Sequence, residues 1–290
     1  YSFNPSMIAY SGLATSDFTL AATVFIATYY FWKLIKSHSM KNLVFAAIFF
    51  GLAQLSKLTA IILIPLYIII GLLAIYKKQS GLNLKILAKN ILIILFVSFI
   101  LIWAFHKFQF GTLKDNLPLG YYSEKTREEI SKSPIFADAL LLVYDNVPLP
   151  MPIYIGMVGH IFYLSSQSKY VFVLGDITDS TVWYLPILTF ILKTPLSLLI
   201  ALLLLLFLFK KITKKDLITN LTLMLPVLLI FALFLFNNKF SGARHILAVY
   251  PFIFVLASNL INIKIEKKKE LYVKLFLFYI IIVILIALYN

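Results

Sequence analysis

The sequence predicts an all-α polytopic membrane protein of about eight transmembrane helices, with a folded outer loop segment. Three observations carry this. Of 290 residues, 61% are hydrophobic and only 13% are charged, and the mean hydropathy is +0.94. Several apolar runs approach the roughly 20 residues that cross a hydrocarbon core. The basic residues sit between these runs, where the positive-inside rule places them, so the net charge of +14 points to membrane topology and not to nucleic acid. The alternating ten-residue segments of a β-barrel are missing from the pattern. Cysteine is absent, which removes disulfides, thiol nucleophiles and thiolate metal sites from consideration.

The stretch from Ser2 to Asp17 is rich in small and hydroxyl residues and leads into the first span, Phe18 to Ile35. A second run, Asn42 to Ser56, and a third, Leu58 to Tyr76, are separated by Lys57. A single helix over both would be about 50 Å long, against a core of roughly 30 Å, so a tight hairpin turning at Lys57 is expected. The fourth span is read at Ile91 to Phe105. A fifth follows Trp183-Tyr184-Leu185-Pro186 and contains Lys193-Thr194-Pro195, where proline removes a backbone donor. Residues 183–193 are therefore expected along the membrane interface. Leu217 to Phe236, His245 to Ile263 and Leu271 to Tyr289 complete the set.

Residues 107–182 break the pattern. They hold eight of the twelve acidic residues and the proline cluster Pro148, Pro150 and Pro152. A connection this long is commonly functional or structured, and Thr126–Ser131 and Ile135–Tyr144 have helical character. The expected organisation is 1–106 for the N-terminal helices, 107–182 for an extracytoplasmic cap, and 183–290 for the C-terminal helices. Alternate connections carry fifteen basic residues: Lys33, Lys36, Lys41, Lys77, Lys78, Lys85, Lys89, Lys210, Lys211, Lys214, Lys215, Lys264, Lys267, Lys268 and Lys269. The opposite short connections carry only Lys57, Lys239 and Arg244. This bias puts the lysine-rich side in the cytoplasm of a multi-pass plasma-membrane protein. Asp17, Lys57, residues 107–182 and the Arg244 region then share the outer face.

Few side chains there can carry chemistry. Thr15, Ser16 and Asp17 are all good helix-capping residues, so Asp17 is either a cap or a carboxylate facing a polar cavity. Lys57 is either a snorkelling lysine at the hairpin turn or a cation placed to hold a phosphate. Arg244 and His245 begin an apolar span. The planar guanidinium fork suits phosphate oxygens, and the other reading is an interfacial anchor. The four histidines have no ligand-like spacing, and no nucleotide-binding glycine motif occurs.

Five segments, in order, resemble a known family. Asn4-Pro5 through Ser11-Gly12-Leu13-Ala14-Thr15-Ser16-Asp17 is similar to the stretch "SPxxLAHSxLATTD" of membrane-embedded, lipid-carrier-dependent GT-C glycosyltransferases, the protein O-mannosyltransferase and aminoarabinose-transferase type. Gly51-Leu52-Ala53-Gln54-Leu55-Ser56-Lys57-Leu58-Thr59 resembles "GLAxLTKxT". Pro150-Met151-Pro152-Ile153-Tyr154 and Tyr170 to Gly175 resemble parts of the outer loop. Trp183 to Pro186 with Leu192 to Pro195 is similar to "WWYYFPxxFLLKTP", and Arg244-His245 to Tyr250-Pro251 to "RHLLPIYP". Tyr10 stands where the family often has histidine, and Thr181-Val182 where it has Gly-Trp.

The resemblance implies sugar transfer from a polyprenyl-phosphate donor to a protein, lipid or glycan acceptor on the extracytoplasmic face. It implies no certain cofactor and leaves a divalent metal open. It gives Asp17 a catalytic role and makes Lys57, Arg244 and His245 holders of the donor phosphate. It also implies that the leading catalytic carboxylate of the family lies upstream of Tyr1. The alternatives are a polar-lipid transporter or flippase, and a non-catalytic subunit that binds a polyprenyl phosphate. A transporter should show internal repeats and charges nearer the midplane, and neither is evident.

Overall fold

The computed structural model describes residues 4–13, 15–116, 127–128, 131, 137–166, 171–173, 175–178, 182–212, 217–235 and 242–262. Asn4 caps the short helix α1 (Pro5–Ser11), its side chain accepting from the Met7 amide at 3.0 Å. Proline at the first helical position loses no bond there, because that amide has no intrahelical partner. Helices α2 (Ser16–Ser37) and α3 (Met40–Ser56) follow. Ala21 and Ala27 of α2 and Ala46, Ala47 and Ala53 of α3 are fully buried. Small residues let helix backbones approach closely where lipid supplies no hydrophobic drive for association. Gly51 does the same toward α5 (Leu84–Phe105), since a Cβ there would lie 2.7 Å from Leu101 Cδ2 and 3.4 Å from Ser98 Cα.

At Lys57 the helix stops. Its backbone is extended (φ −163°, ψ 134°), and the chain resumes as the 3-10 segment Leu58–Ile62 and then α4 (Leu63–Tyr76). Phe50 of α3 and Tyr67 of α4 meet with ring centroids 5.8 Å apart, so the chain doubles back as the sequence predicts. Tyr67 also stacks on Phe31 of α2, at 3.9 Å and 1° between planes. These rings belong to a core shared by α2, α3, α4 and α5.

After α5 come the strand β1 (Phe110–Gly111) and the short helices α6 (Leu113–Asn116) and α7 (Ala137–Asn146), then β2 (Leu149–Pro150) and α8 (Pro152–Ser166). β1 pairs antiparallel with β2, and β3 (Val171–Val173) with β4 (Asp176–Thr178). These small ladders qualify the all-α expectation. Helix α7 lies where helical character was expected, whereas α8 was not foreseen.

Helices α9 (Leu185–Lys193) and α10 (Leu196–Ile212) form a pair bent by 115° at Thr194-Pro195, the proline break expected there. The bend is tied down by two bonds. Ser6 Oγ donates to the Lys193 carbonyl at 3.2 Å, and the Thr194 hydroxyl is bonded to the Tyr250 hydroxyl at 3.0 Å. Tyr250→Phe should therefore orphan a buried hydroxyl, at a cost of about 1 to 3 kcal/mol, read as a lower melting temperature in detergent. An unchanged melting temperature would mean that the Thr194–Tyr250 bond adds nothing to the hold on the bend.

Helix α11 (Leu217–Leu235) precedes the 3-10 segment Ala243–Val249 and α12 (Tyr250–Ser258). Gly242 opens that segment at φ +100°, a conformation side chains rarely adopt. These elements build a second core with Met7, Ala21 and Leu198. At the other end of α2, Trp32 Nε1 donates to Thr219 Oγ1 at 2.9 Å and Lys36 Nζ does so at 3.1 Å.

Among the described residues, Ser16–Ser37, Leu58–Tyr76, Leu84–Phe105 and Leu217–Leu235 are long and apolar enough to cross a membrane, and the bent pair makes up to five. Met40–Ser56 and Ala243–Ser258 are shorter apolar helices. The fourth span starts earlier than Ile91, because Asn83 caps α5 by accepting from the Ile86 amide at 2.9 Å, which places Lys85 and Lys89 inside the helix. The seventh begins as 3-10 turns. The expected span Leu271 to Tyr289 and the lysines at 264–269 lie outside the described residues.

Candidate functional site

Asp17 occupies the first turn of α2, one residue after the helix starts, and Thr15 is the N-cap residue. A carboxylate in a first turn is favoured by the helix dipole, but here it has a stronger partner. Lys57 Nζ donates to Asp17 Oδ1 at 2.5 Å, across forty residues of sequence. Asp17 is only 4% exposed, and the side chain of Lys57 is 24% exposed. The extended backbone at Lys57 breaks α3 where the ammonium can reach the start of α2. Thr15 holds the N-cap position without a side-chain capping bond, and Asp17 and Lys57 are committed to each other.

A small recess of about 20 Å³, room for about one water, opens beside this pair. Leu20 and Val24 of α2, Thr59 of the 3-10 segment and Leu233 of α11 form part of its wall, and Lys57 and His245 both line it. The His245 ring stands edge-on to Phe234, with centroids 5.0 Å apart. The segment Ala243–Val249 that carries His245 is largely buried, with Ile246, Leu247 and Val249 in the core, while Arg244 is on its exposed side. The structure thus joins Asp17 to Lys57 and places Lys57 and His245 on the wall of one recess, with Arg244 adjacent in sequence to His245. An ammonium has three donors, so Lys57 keeps two beyond the one given to Asp17. The chemistry at hand is a paired carboxylate and ammonium, with the ammonium and an imidazole lining a small, largely apolar recess.

Two residues that sequence reasoning did not single out stand close by. Gln54, one helical turn before Lys57, is 5% exposed, and Tyr154 of α8 donates to its Oε1 at 3.3 Å. Burial pushes the Tyr154 phenol up to about 12, so it is a neutral donor throughout the physiological range. Gln54 falls within the glycine-leucine-alanine segment read above, and an amide in so apolar a run was the signal available. Among the described residues no group of three or more His, Asp or Glu could hold a metal ion. The side chain of His160 lies outside the described residues.

Comparison with known proteins adds one match. The family model described as dolichyl-phosphate-mannose-protein mannosyltransferase matches residues 1–103, which contain Asp17, Gln54 and Lys57 but neither Arg244 nor His245. No curated protein and no solved structure matches the chain.

Proposed function

We propose that the chain is a membrane-embedded glycosyltransferase of the GT-C type, which moves a sugar from a polyprenyl-phosphate donor to an acceptor hydroxyl on the extracytoplasmic face. The observation that carries this is the Asp17–Lys57 pair, within the segment similar to the mannosyltransferase family model and with Lys57 lining an apolar recess.

In the proposed reaction the acceptor oxygen attacks the anomeric carbon of the sugar. The bond from that carbon to the phosphate oxygen breaks, its electron pair stays on the polyprenyl phosphate, and the acceptor proton passes to a carboxylate. Transfer of this kind needs a positioned base and cations where charge develops on the leaving group. Asp17, held by Lys57, is the carboxylate that orients the acceptor hydroxyl for this step. Because that pair is internally neutral, Lys57 alone gives little net attraction for an anion, so Arg244 and His245 supply the rest. The lipid part of the donor lies against the apolar spans, which accounts for a site without a nucleotide-binding motif.

Arg244→Lys tests the phosphate role. A point charge cannot reproduce the bidentate fork, so transfer from a polyprenyl-phosphate sugar should fall at least about tenfold, equivalent to about 1.4 kcal/mol, at unchanged abundance. Wild-type turnover in Arg244→Ala would reduce Arg244 to an interfacial anchor. The proposed orientation has its own check. Single cysteines at Ser37 and Gln79 should resist a membrane-impermeant thiol reagent in intact cells, and one at Ser131 should react. The opposite labelling would place the recess on the cytoplasmic side.

A further inference from the structure

A second and larger recess, of about 370 Å³, lies where α3, α4, α5 and α8 meet. The 3-10 segment Leu58–Ile62 divides the two, with Thr59, Ala60 and Ile62 facing the first and Ile61 the second. Nine of its twelve lining residues are aliphatic, Phe or Met, among them Phe50, Ile64, Leu95, Phe99, Ile155 and Val158. The three others are Ser98, Tyr154 and Gln54. The Ser98 hydroxyl is spent on the carbonyls of Ala47 and Ile94, at 2.8 and 2.6 Å. The Tyr154 hydroxyl is spent on Gln54 Oε1. Gln54 Nε2 is buried and has no partner among the described residues.

A buried amide donor left unmade costs about 1 to 3 kcal/mol, which makes this group a place for an acceptor atom. Three features specify what brings one. The wall is apolar. The neighbouring face of α5 carries the exposed side chains Leu92, Phe96 and Ile100 on a helix long and apolar enough to span, so the mouth meets hydrocarbon. Gln54 lies one turn from the end of α3, level with the Asp17–Lys57 pair, where the membrane boundary and the carbonyl groups of its lipids are found. We propose that this groove holds one acyl chain of a glycerolipid drawn from the bilayer, its ester carbonyl accepting from the Nε2 amide of Gln54.

A chain that moves from bilayer to groove gains little hydrophobically, since lipid tails are as apolar as the wall. Selectivity therefore falls on the single polar contact, and the groove should prefer ester-linked to ether-linked lipids. The proposal is independent of the transferase reading, and its test contains no transfer step.

The full chain is placed in nanodiscs of diether phosphatidylcholine with a trace of diacyl phosphatidylcholine bearing a diazirine in one chain, photolysed, and mapped by mass spectrometry. Adducts should concentrate in residues 95–102 and 151–158. Unlabelled diacyl lipid should compete about two- to tenfold better than diether lipid, the worth of one hydrogen bond. Gln54→Leu should erase that preference, and Ile155→Trp, which fills the groove, should reduce the adducts. Adducts confined to Leu92, Phe96 and Ile100, or equal competition by the two lipids in the wild type, would overturn the proposal. The wild-type comparison requires no variant, so it stands even where a variant does not fold.

Discussion

Replacing Lys57 by methionine should cost about 2 kcal/mol of stability and abolish sugar transfer. The substitution keeps the length of the side chain and strands Asp17, a carboxylate 4% exposed, without its cation. Breaking a buried pair from one side typically costs about 3 to 5 kcal/mol. The Lys57 side chain is 24% exposed, so water shares the burden and the lower figure applies. The diagnostic is the double variant Asp17→Asn/Lys57→Met, which leaves no charge to strand. Its melting temperature in detergent should recover most of the loss, whereas its transfer activity should not return. Strictly additive losses in the two single variants would show that the two groups do not interact, and the site would lose its geometric basis.

The second large effect lies in the core. Phe31→Ala should destabilise the bundle by about 2 to 4 kcal/mol. Inside a membrane the transfer part of a large-to-small change shrinks, because the surroundings of an unfolded helix are also hydrocarbon. What remains is the cavity and the lost contacts of a ring stacked on Tyr67 at 3.9 Å. Tyr67→Phe should act in the opposite direction. The Tyr67 hydroxyl is buried without a partner among the described residues, so its removal should be neutral or stabilising by about 1 kcal/mol. Thermal unfolding of the two variants, measured side by side, checks both signs. A marked loss in Tyr67→Phe would reveal a partner for that hydroxyl.

Much of the helical frame was legible because lipid demands long uninterrupted apolar runs. Helices α2, α3 and α11 begin and end within about two residues of the runs that announced them, and Lys57 and Pro195 mark real breaks. The start of α5 was hidden by Lys85 and Lys89, which read as a loop but lie on a helix capped by Asn83. Helix α8 was hidden by the proline cluster that runs up to its first residue, Pro152, although proline at a first helical position is a start signal. Two- and three-residue strands are too short for any periodicity to show.

The site was half legible. Lone charges at the ends of apolar runs drew attention to Asp17 and Lys57, but each was assigned an external partner. The bond between them depends on α2 and α3 lying side by side, a tertiary fact that spacing along the chain does not encode. Gln54 and Tyr154 were invisible as a pair for the same reason, being one hundred residues apart.

The Asp17–Lys57 bond also bears on how the protein is made. Asp17 opens one helix of an antiparallel pair and Lys57 closes the other, so both charges arrive at the same end of one hairpin. Each alone adds about 2.5 to 3.5 kcal/mol to insertion at mid-bilayer, and less toward a helix end. Presented together, they enter the insertion machinery as one neutral unit. Pairing within one hairpin lowers what is left of that cost once α2 and α3 lie side by side.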